Sequence, residues 1–448
     1  MNSSTLNNIK ASKPVNSSNL GHLAALKFIT CGSVDDGKST LIGRLLVDAK
    51  AVLQDHLAGI ESQGEMDLAM LTDGLSAERE QGITIDVAYR YFSTERRKFI
   101  IGDTPGHEQY TRNMVTAASS ADAAVVLIDA TKLDWQNPSL ELLRQTRRHS
   151  LLLKLLRVPH VIFTINKLDA VKSESLSDLE AQTLAYKNIS AAVASFAEQV
   201  QISPKALVPI SALKGWNVVN AASTKLWCGY SGPSLIEVLE GLSNTPVDAH
   251  AHFAQSVQWV EKFHDSSTTA HGRRIFWGKV STGTAKVGQK VKIFPGTQTA
   301  VIAQVLSSVR APGEVSEGQS AGIILDKEVD ISRGDALVDA DHLIEGSREV
   351  QAVLAWMDDE PLVAGRMYHA LHAHKWIKCK VQKIAYKIDI NTLEQTEATE
   401  LAPNEIGRVV LVLQQEIPAL KYTESRHLGA MILVDTASHR TSAAVLID

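Results

Sequence analysis

Two glycines enclose four residues, and a Lys-Ser pair follows, in the stretch GSVDDGKSTLIGR at residues 32–44. That spacing suits a polyphosphate. A turn opened by Gly32 and closed by Gly37 lets the backbone N–H groups around Ser33, Val34, Asp35 and Asp36 converge on phosphate oxygens together with the start of a helix. Lys38 then supplies positive charge to the outer phosphates, Ser39 offers a hydroxyl to Mg2+, and Thr40 is expected at an inner phosphate. A second group, Asp103, Thr104, Pro105, Gly106 and His107, ends the apolar run KFIIGD about 65 residues later. A carboxylate at a strand end suits a Mg2+ that keeps several of its waters. Gly106 lets its N–H approach a terminal phosphate, and His107 is placed to orient an attacking water, so His107, Lys38 and Gly106 are the catalytic candidates.

A third group decides the base. In VIFTINKLDA, Asn166, Lys167 and Asp169 follow an apolar strand. The Asp169 carboxylate can accept from the ring N–H and the exocyclic amine of guanine, whereas adenine offers no such pair of donors and would leave the carboxylate unpaired. Ser211, Ala212 and Leu213 end another apolar run, where a backbone N–H can meet the guanine oxygen. Taken in order, these loops predict a site for GTP and GDP. Between the first two lies GITID, in which Thr84 can add a second hydroxyl to Mg2+ while the γ-phosphate is present and release it after hydrolysis. The metal candidates are therefore Ser39, Thr84 and Asp103.

Strands and helices must position these loops. The runs LKFITCG, KFIIGD, ADAAVVLIDA, PHVIFTINK and ALVPISA alternate with amphipathic stretches from residue 26 to 242, as in a mostly parallel sheet covered by helices on both faces. Ligands of such sheets bind beyond the carboxyl ends of the strands, where each candidate falls. A polar linker is expected at 243–252. Short strands with Gly-containing turns then predict two β-barrels, at 253–342 and 348–448. Residues 1–25, rich in Ser and Asn, read as a disordered tail with no apolar run fit for a signal peptide or a membrane span.

Composition narrows the function. The chain has 448 residues, with 45 Lys and Arg against 50 Asp and Glu and a net charge of -5. There is no basic excess of the kind that marks a dedicated nucleic-acid binder. Its three cysteines are odd in number and far apart, which argues for a reducing compartment. A cytoplasmic location is expected.

Together the motifs resemble the translation-factor class of GTPases, with a nucleotide domain and two barrels arranged as in elongation factor Tu. Within that class CGSVDDGKSTLIGRLL, DGLSAEREQGITIDVAYRYFST, DTPGHEQYTRNM and QTRRHS are similar to the large GTP-binding subunit of bacterial sulfate adenylyltransferase. So are WMDDEPL, IDINTLE and LAPNEIGRVVLVL near the carboxyl terminus. The resemblance implies a heteromer with a smaller subunit that transfers an adenylyl group from ATP to sulfate. Adenylyl sulfate and pyrophosphate would form, as the first step of sulfate assimilation, with GTP hydrolysis driving that uphill reaction.

Three departures stand out. The segment ATKLDWQNPSLELLR, ahead of QTRRHS, is longer than the family pattern and reads as a surface extension. Arg147 and Arg148 beside it read either as a partner-facing patch or as a solvated helix face. Trp216 replaces the family's usual Asp in the guanine loop, which puts local packing in question. Some relatives carry a fused adenylyl-sulfate kinase domain with its own phosphate loop; no second such loop precedes Asp448, so no kinase activity is expected. The rival reading is an elongation-factor-type GTPase that binds aminoacyl-tRNA. Asp36, at a position where translation factors normally have His, favours the sulfate-activating family.

Overall fold

The computed structural model describes residues 25–51, 61–62, 65–66, 68–71, 84, 86–107, 110–220, 227–244, 251–262, 274–307, 313–341, 344, 346–389 and 394–448. The expected tail as far as residue 24, Gly82, Ile83, Ile85 and positions 245–250 of the expected linker lie outside them.

Apolar runs too short for helices build the first sheet. It contains β1 (Leu26–Cys31), β2 (Ala88–Ser93), β3 (Lys98–Asp103), β4 (Ala123–Asp129), β5 (His160–Asn166) and β6 (Ala206–Pro209). Their order is β2-β3-β1-β4-β5-β6, with β2 antiparallel to β3 and the other pairs parallel. Every residue of β4 and β5 is buried, as expected of central strands covered on both faces. Around the sheet lie α1 (Lys38–Asp48), α2 (Thr111–Ala118), α3 (Arg144–Leu155), α4 (Asp178–Gln199) and α5 (Leu235–Glu240). Two of these helices supply their own caps. Ser177 with Glu180, and Ser234 with Glu237, form capping boxes that satisfy the first amides of α4 and α5. The start of α1 has no side-chain cap; its N-cap is Gly37 in the left-handed region at φ 88°.

Alternating strands then close two barrels. In the first, β7 (Ala254–Ser256), β9 (Arg274–Thr282), β10 (Lys290–Phe294), β11 (Thr299–Leu306), β12 (Ser320–Leu325) and β13 (Ala336–Asp339) run in the order β9-β12-β11-β10-β13-β7. Pairing of β7 with β9 closes the ring, and β8 (Trp259–Lys262) extends it beyond β9. The second barrel orders β15 (Met367–His372), β18 (Ala430–Asp435), β19 (Thr441–Ile447), β14 (Gly346–Trp356), β17 (Ile406–Pro418) and β16 (Lys375–Ile388), closed by β15 with β16. Closure removes the open edges that would invite pairing with other chains.

The nucleotide domain and the last barrel share a core. Met357 and Ile406 of the barrel belong to the buried cluster of Met114, Val115, Leu152 and Phe163, and Val353, Ala355 and Ala444 pack against it. Arginines stitch its margin: Arg112 donates to the Met357 carbonyl at 2.8 Å, Arg148 to that of Asn404 at 3.2 Å and Arg157 to that of Thr423 at 2.7 Å. Among the described residues no helix is long and apolar enough to cross a membrane. All three cysteines are buried and free, and burial pushes their thiols up to about 12, so they are poor nucleophiles.

The extension departs from the sequence expectation. Its polar residues are exposed, but Leu133, Leu140 and Leu142 are buried in the domain core, and Asn188 of α4 donates to the Trp135 carbonyl at 3.0 Å. Neither reading of the two arginines holds. Arg148 is buried against the last barrel, while Arg147 pairs with Glu141 at 3.1 Å and lies over the Phe196 ring. A charged pair on an amphipathic helix reads as surface until a second domain is packed on it.

Candidate functional site

β1 delivers the chain directly into the phosphate loop. Asp35 takes the left-handed conformation at φ 59°, which Asp tolerates better than most residues, and its side chain is exposed. Asp36 points inward and is completely buried. One of its oxygens accepts the Ser33 N–H at 2.6 Å and the other lies 3.2 Å from the ammonium of Lys132. A Cβ on Gly37 would lie 2.5 Å from the Asn166 amide nitrogen, so glycine is required there for contact as well as for φ. The uncapped start of α1, with Ser39 and Thr40 half-buried on its first turn, leaves its amides for an anion.

Lys38 is buried, and its ammonium donates to the Ser33 carbonyl at 2.7 Å and the Gly32 carbonyl at 3.4 Å. Burial lowers its pKa, opposed by the nearby carboxylates of Asp103 and Asp36. The loop after β3 packs directly against it: a Cβ on Gly106 would be 2.7 Å from the Lys38 nitrogen and 2.9 Å from the Val34 nitrogen. Thr104 is wholly buried and donates to the Thr30 carbonyl at 2.5 Å, which ties this loop to β1. Pro105 is buried beside it, while His107 is half-buried with its ring edge-on to Tyr110.

Asp103 receives the Thr30 hydroxyl at 3.3 Å and the Ser39 hydroxyl at 3.4 Å. One buried carboxylate and one hydroxyl are hard oxygen donors, too few to enclose a cation by themselves. That is the donor set suited to Mg2+, which keeps waters and takes further oxygens from a phosphate. Thr84 is half-buried ahead of β2, and the described hydrogen bonds do not join it to Ser39 or Asp103.

The guanine-side loops are joined to the phosphate loop by Asn166. Its amide nitrogen donates to the Asp36 carbonyl at 2.9 Å and its oxygen accepts the Ala212 N–H at 3.0 Å. The amide expected at the guanine oxygen is thus bonded to Asn166 in this structure. Lys167 reaches the Asp35 carbonyl at 2.6 Å and the Asp129 carboxylate at 2.7 Å. Asp169 pairs with Lys214 at 3.2 Å, and the same ammonium lies 4.7 Å above the Trp216 ring. Trp216 packs edge-on to Trp227 with ring centroids 5.0 Å apart, which answers the packing question its substitution raised. Ser211 is buried and caps the turn through the Lys214 N–H, and Arg44 of α1 donates to the carbonyls of Ala212 and Leu213.

Three supporting residues escaped the sequence reading: Lys132, Lys214 and His149. His149 is fully buried in α3 and its Nδ1 accepts the Gly32 N–H at 3.3 Å. Burial, with Lys38 and Arg148 nearby, lowers its pKa to about 3. A neutral ring that accepts at Nδ1 carries its proton at Nε2, 2.9 Å from the Gln145 carboxamide. The carboxamide oxygen belongs at that contact, an assignment that also gives the otherwise unpartnered Gln145 Oε1 a donor. The Gln-x-x-x-His spacing within QTRRHS was the available signal, since residues four apart share a helix face.

The family model of the elongation factor Tu GTP binding domain matches residues 24–252, and that of the GTP-eEF1A C-terminal domain-like family matches 349–448. Sulfate adenylyltransferase subunit 1 of Cellvibrio japonicus is 41% identical over 430 residues, covering 94% of this chain and 86% of that protein. The chain belongs to the sulfate adenylyltransferase subunit 1 family. Its member from Yersinia enterocolitica is 41% identical over 435 residues, covering 95% and 86%. A protein from Xylella fastidiosa named bifunctional enzyme CysN/CysC is 42% identical over 431 residues, which span 94% of this chain and 65% of that longer protein. A solved structure of Sup35 complexed with GDP aligns with 98% of this chain and 97% of its own at 20% identity, with a TM-score of 0.41, too distant to bear on function. The match over residues 24–252 makes the first domain a GTP-binding one.

Proposed function

We propose that this chain is the GTP-hydrolysing subunit of a sulfate adenylyltransferase, and that its turnover drives adenylyl transfer from ATP to sulfate on a smaller partner subunit. GTP and water give GDP and phosphate here, while ATP and sulfate give adenylyl sulfate and pyrophosphate there. The names of relatives that match nearly the whole chain support the sulfate reaction. The observation that carries the GTPase reading is the uncapped start of α1, whose first residue Lys38 lies against Gly106 and whose loop is tied by Asn166 to the loop of Asp169.

Each group then has a task. The loop amides of residues 32–37 and the first turn of α1, including Thr40, bind the phosphates, and Lys38 moves from the loop carbonyls to the outer phosphate oxygens. Ser39, Asp103 and, in the GTP state, Thr84 would hold Mg2+, which when bound would supply charge neutralisation for the phosphates. The Gly106 N–H meets the terminal phosphate and His107 orients the attacking water, while Thr104 and Pro105 fix the loop that carries both. Asp169 leaves Lys214 to accept from guanine, and the turn of Ser211, Ala212 and Leu213 closes over the base. GTP and GDP must favour different arrangements of the partner contact, since a ligand with equal affinity for both shifts nothing. The net charge of -5 disfavours the aminoacyl-tRNA reading.

Co-expression with the small subunit tests this. The two should co-purify, and pyrophosphate release from ATP should need sulfate and rise with GTP but not with GDP. GTP turnover that ignores both the partner and sulfate would leave a GTPase with no link to sulfate activation.

A further inference from the structure

We propose that Lys132 is a positioning residue of the GTP site: its ammonium neutralises the buried Asp36 carboxylate that braces the phosphate loop, and so lets an acidic loop receive a polyphosphate. The proposal rests on the GTP-site reading and deepens it.

Asp36 is an unusual occupant of an anion-binding turn. Its carboxylate is fully buried, bonded at 2.6 Å to the Ser33 N–H, and its oxygen is 3.0 Å from where a Gly32 Cβ would stand. The brace sets the turn, yet it also places a negative charge inside the loop that must hold phosphate. Left alone, such a charge repels the ligand and resists burial. Burial raises the Asp36 pKa, with Lys38 and Lys132 opposing the rise. Lys38 is claimed by loop carbonyls and by the phosphate itself, so it cannot remain the lasting partner of Asp36.

Lys132 can. It arrives from the other side, at the end of the short turn Ala130–Lys132 that follows β4 and is capped by Asp129 through the Thr131 N–H at 2.9 Å. Its ammonium is 3.2 Å from Asp36 and 3.9 Å from Asp129, and it also donates to the Val34 carbonyl. Asp129 in turn binds Lys167 at 2.7 Å, and Lys167 donates to the Asp35 carbonyl. Charges therefore alternate from Asp36 through Lys132 and Asp129 to Lys167. The two lysines thus hold two successive loop carbonyls, those of Val34 and Asp35. Because the Lys132 side chain is one-third exposed, it needs no second buried partner when Asp36 is removed.

The test is a double-mutant cycle on the full chain, reading the affinity of a fluorescent GDP analogue together with the melting temperature of each unliganded protein. Lys132→Met should weaken binding roughly ten- to hundred-fold, because the brace is kept while its charge is uncovered. Adding Asp36→Asn should then tighten binding about ten-fold relative to Lys132→Met alone, since Asn can still accept from Ser33 without a charge. Recovery of this sign is not what loss of packing would give. Unchanged affinity in Lys132→Met overturns the proposal, as does a double variant that binds as weakly as Lys132→Met, which would place the effect at the Val34 carbonyl. Failure of the wild-type chain itself to bind GDP would instead refute the GTP-site reading.

Discussion

Asp169 faces Lys214 across 3.2 Å, so the carboxylate proposed to read the base is already paired, and guanine would have to displace the lysine. Changing Asp169→Asn presents a donor where xanthine has its second carbonyl. GTP affinity should fall by at least about a hundred-fold while xanthosine triphosphate binding rises; equal GTP affinity in competition binding would remove Asp169 from that role. His107, half-buried against Tyr110, acts in the chemical step on the proposed mechanism. In His107→Ala, kcat for GTP should drop on the order of a hundred-fold with little change in nucleotide affinity. Single-turnover hydrolysis beside equilibrium binding separates the two effects. The residues of these loops were legible because each motif is contiguous and its chemistry depends on local spacing. Lys132 and His149 were not, since they meet the phosphate loop across 96 and 117 positions of chain and only strand order brings them there.

Among the elements, α3 joins two tasks in adjacent residues. Arg148 holds the Asn404 carbonyl of the last barrel, and His149 holds the Gly32 N–H of the phosphate loop. The histidine makes the helix sensitive to acid. Its folded pKa, about 3, lies below the ordinary value of 6.5, so between these limits the unfolded chain binds the extra proton. Stability from this group is complete above pH 6.5 and declines as pH falls toward 3, by about 2 kcal/mol at pH 5. His149→Asn keeps an acceptor at the δ position without a titrating ring. Its loss of melting temperature between pH 7 and pH 5 should therefore be smaller than that of the wild-type chain. The apolar runs revealed β4 and β5 directly, and alternation with Gly turns revealed both barrels. Periodicity carries no record of which barrel would cover α3, which is why Arg147 and Arg148 looked solvated.

At the scale of the whole molecule, the nucleotide domain and the last barrel form one large apolar core, while the two barrels meet through a smaller apolar cluster, in which Leu428 packs with Ala254, Phe294, Ala336 and Val338, and through polar contacts beside it. Lys375 pairs with Asp335 at 3.0 Å, and His374 lies 3.0 Å from Gln258. A shared core predicts shared unfolding. Nucleotide domain and last barrel should melt in one transition, and GDP at a hundred times its Kd should raise the stability of both by about 2.7 kcal/mol. Calorimetry, with limited proteolysis to identify which segments open, would show two separate steps, of which only that of the nucleotide domain shifts with GDP, if the coupling were absent. Arg112 gives this union a further meaning. It stands in α2, directly after the loop of Gly106 and His107, and its guanidinium is fastened to the backbone of Met357. On the proposed mechanism, any shift of the loop of Gly106 and His107 would be passed through Arg112 to the backbone just ahead of the acidic stretch Asp358–Glu360. Substitutions in that stretch should then alter the rate of GTP hydrolysis from a different domain of the chain.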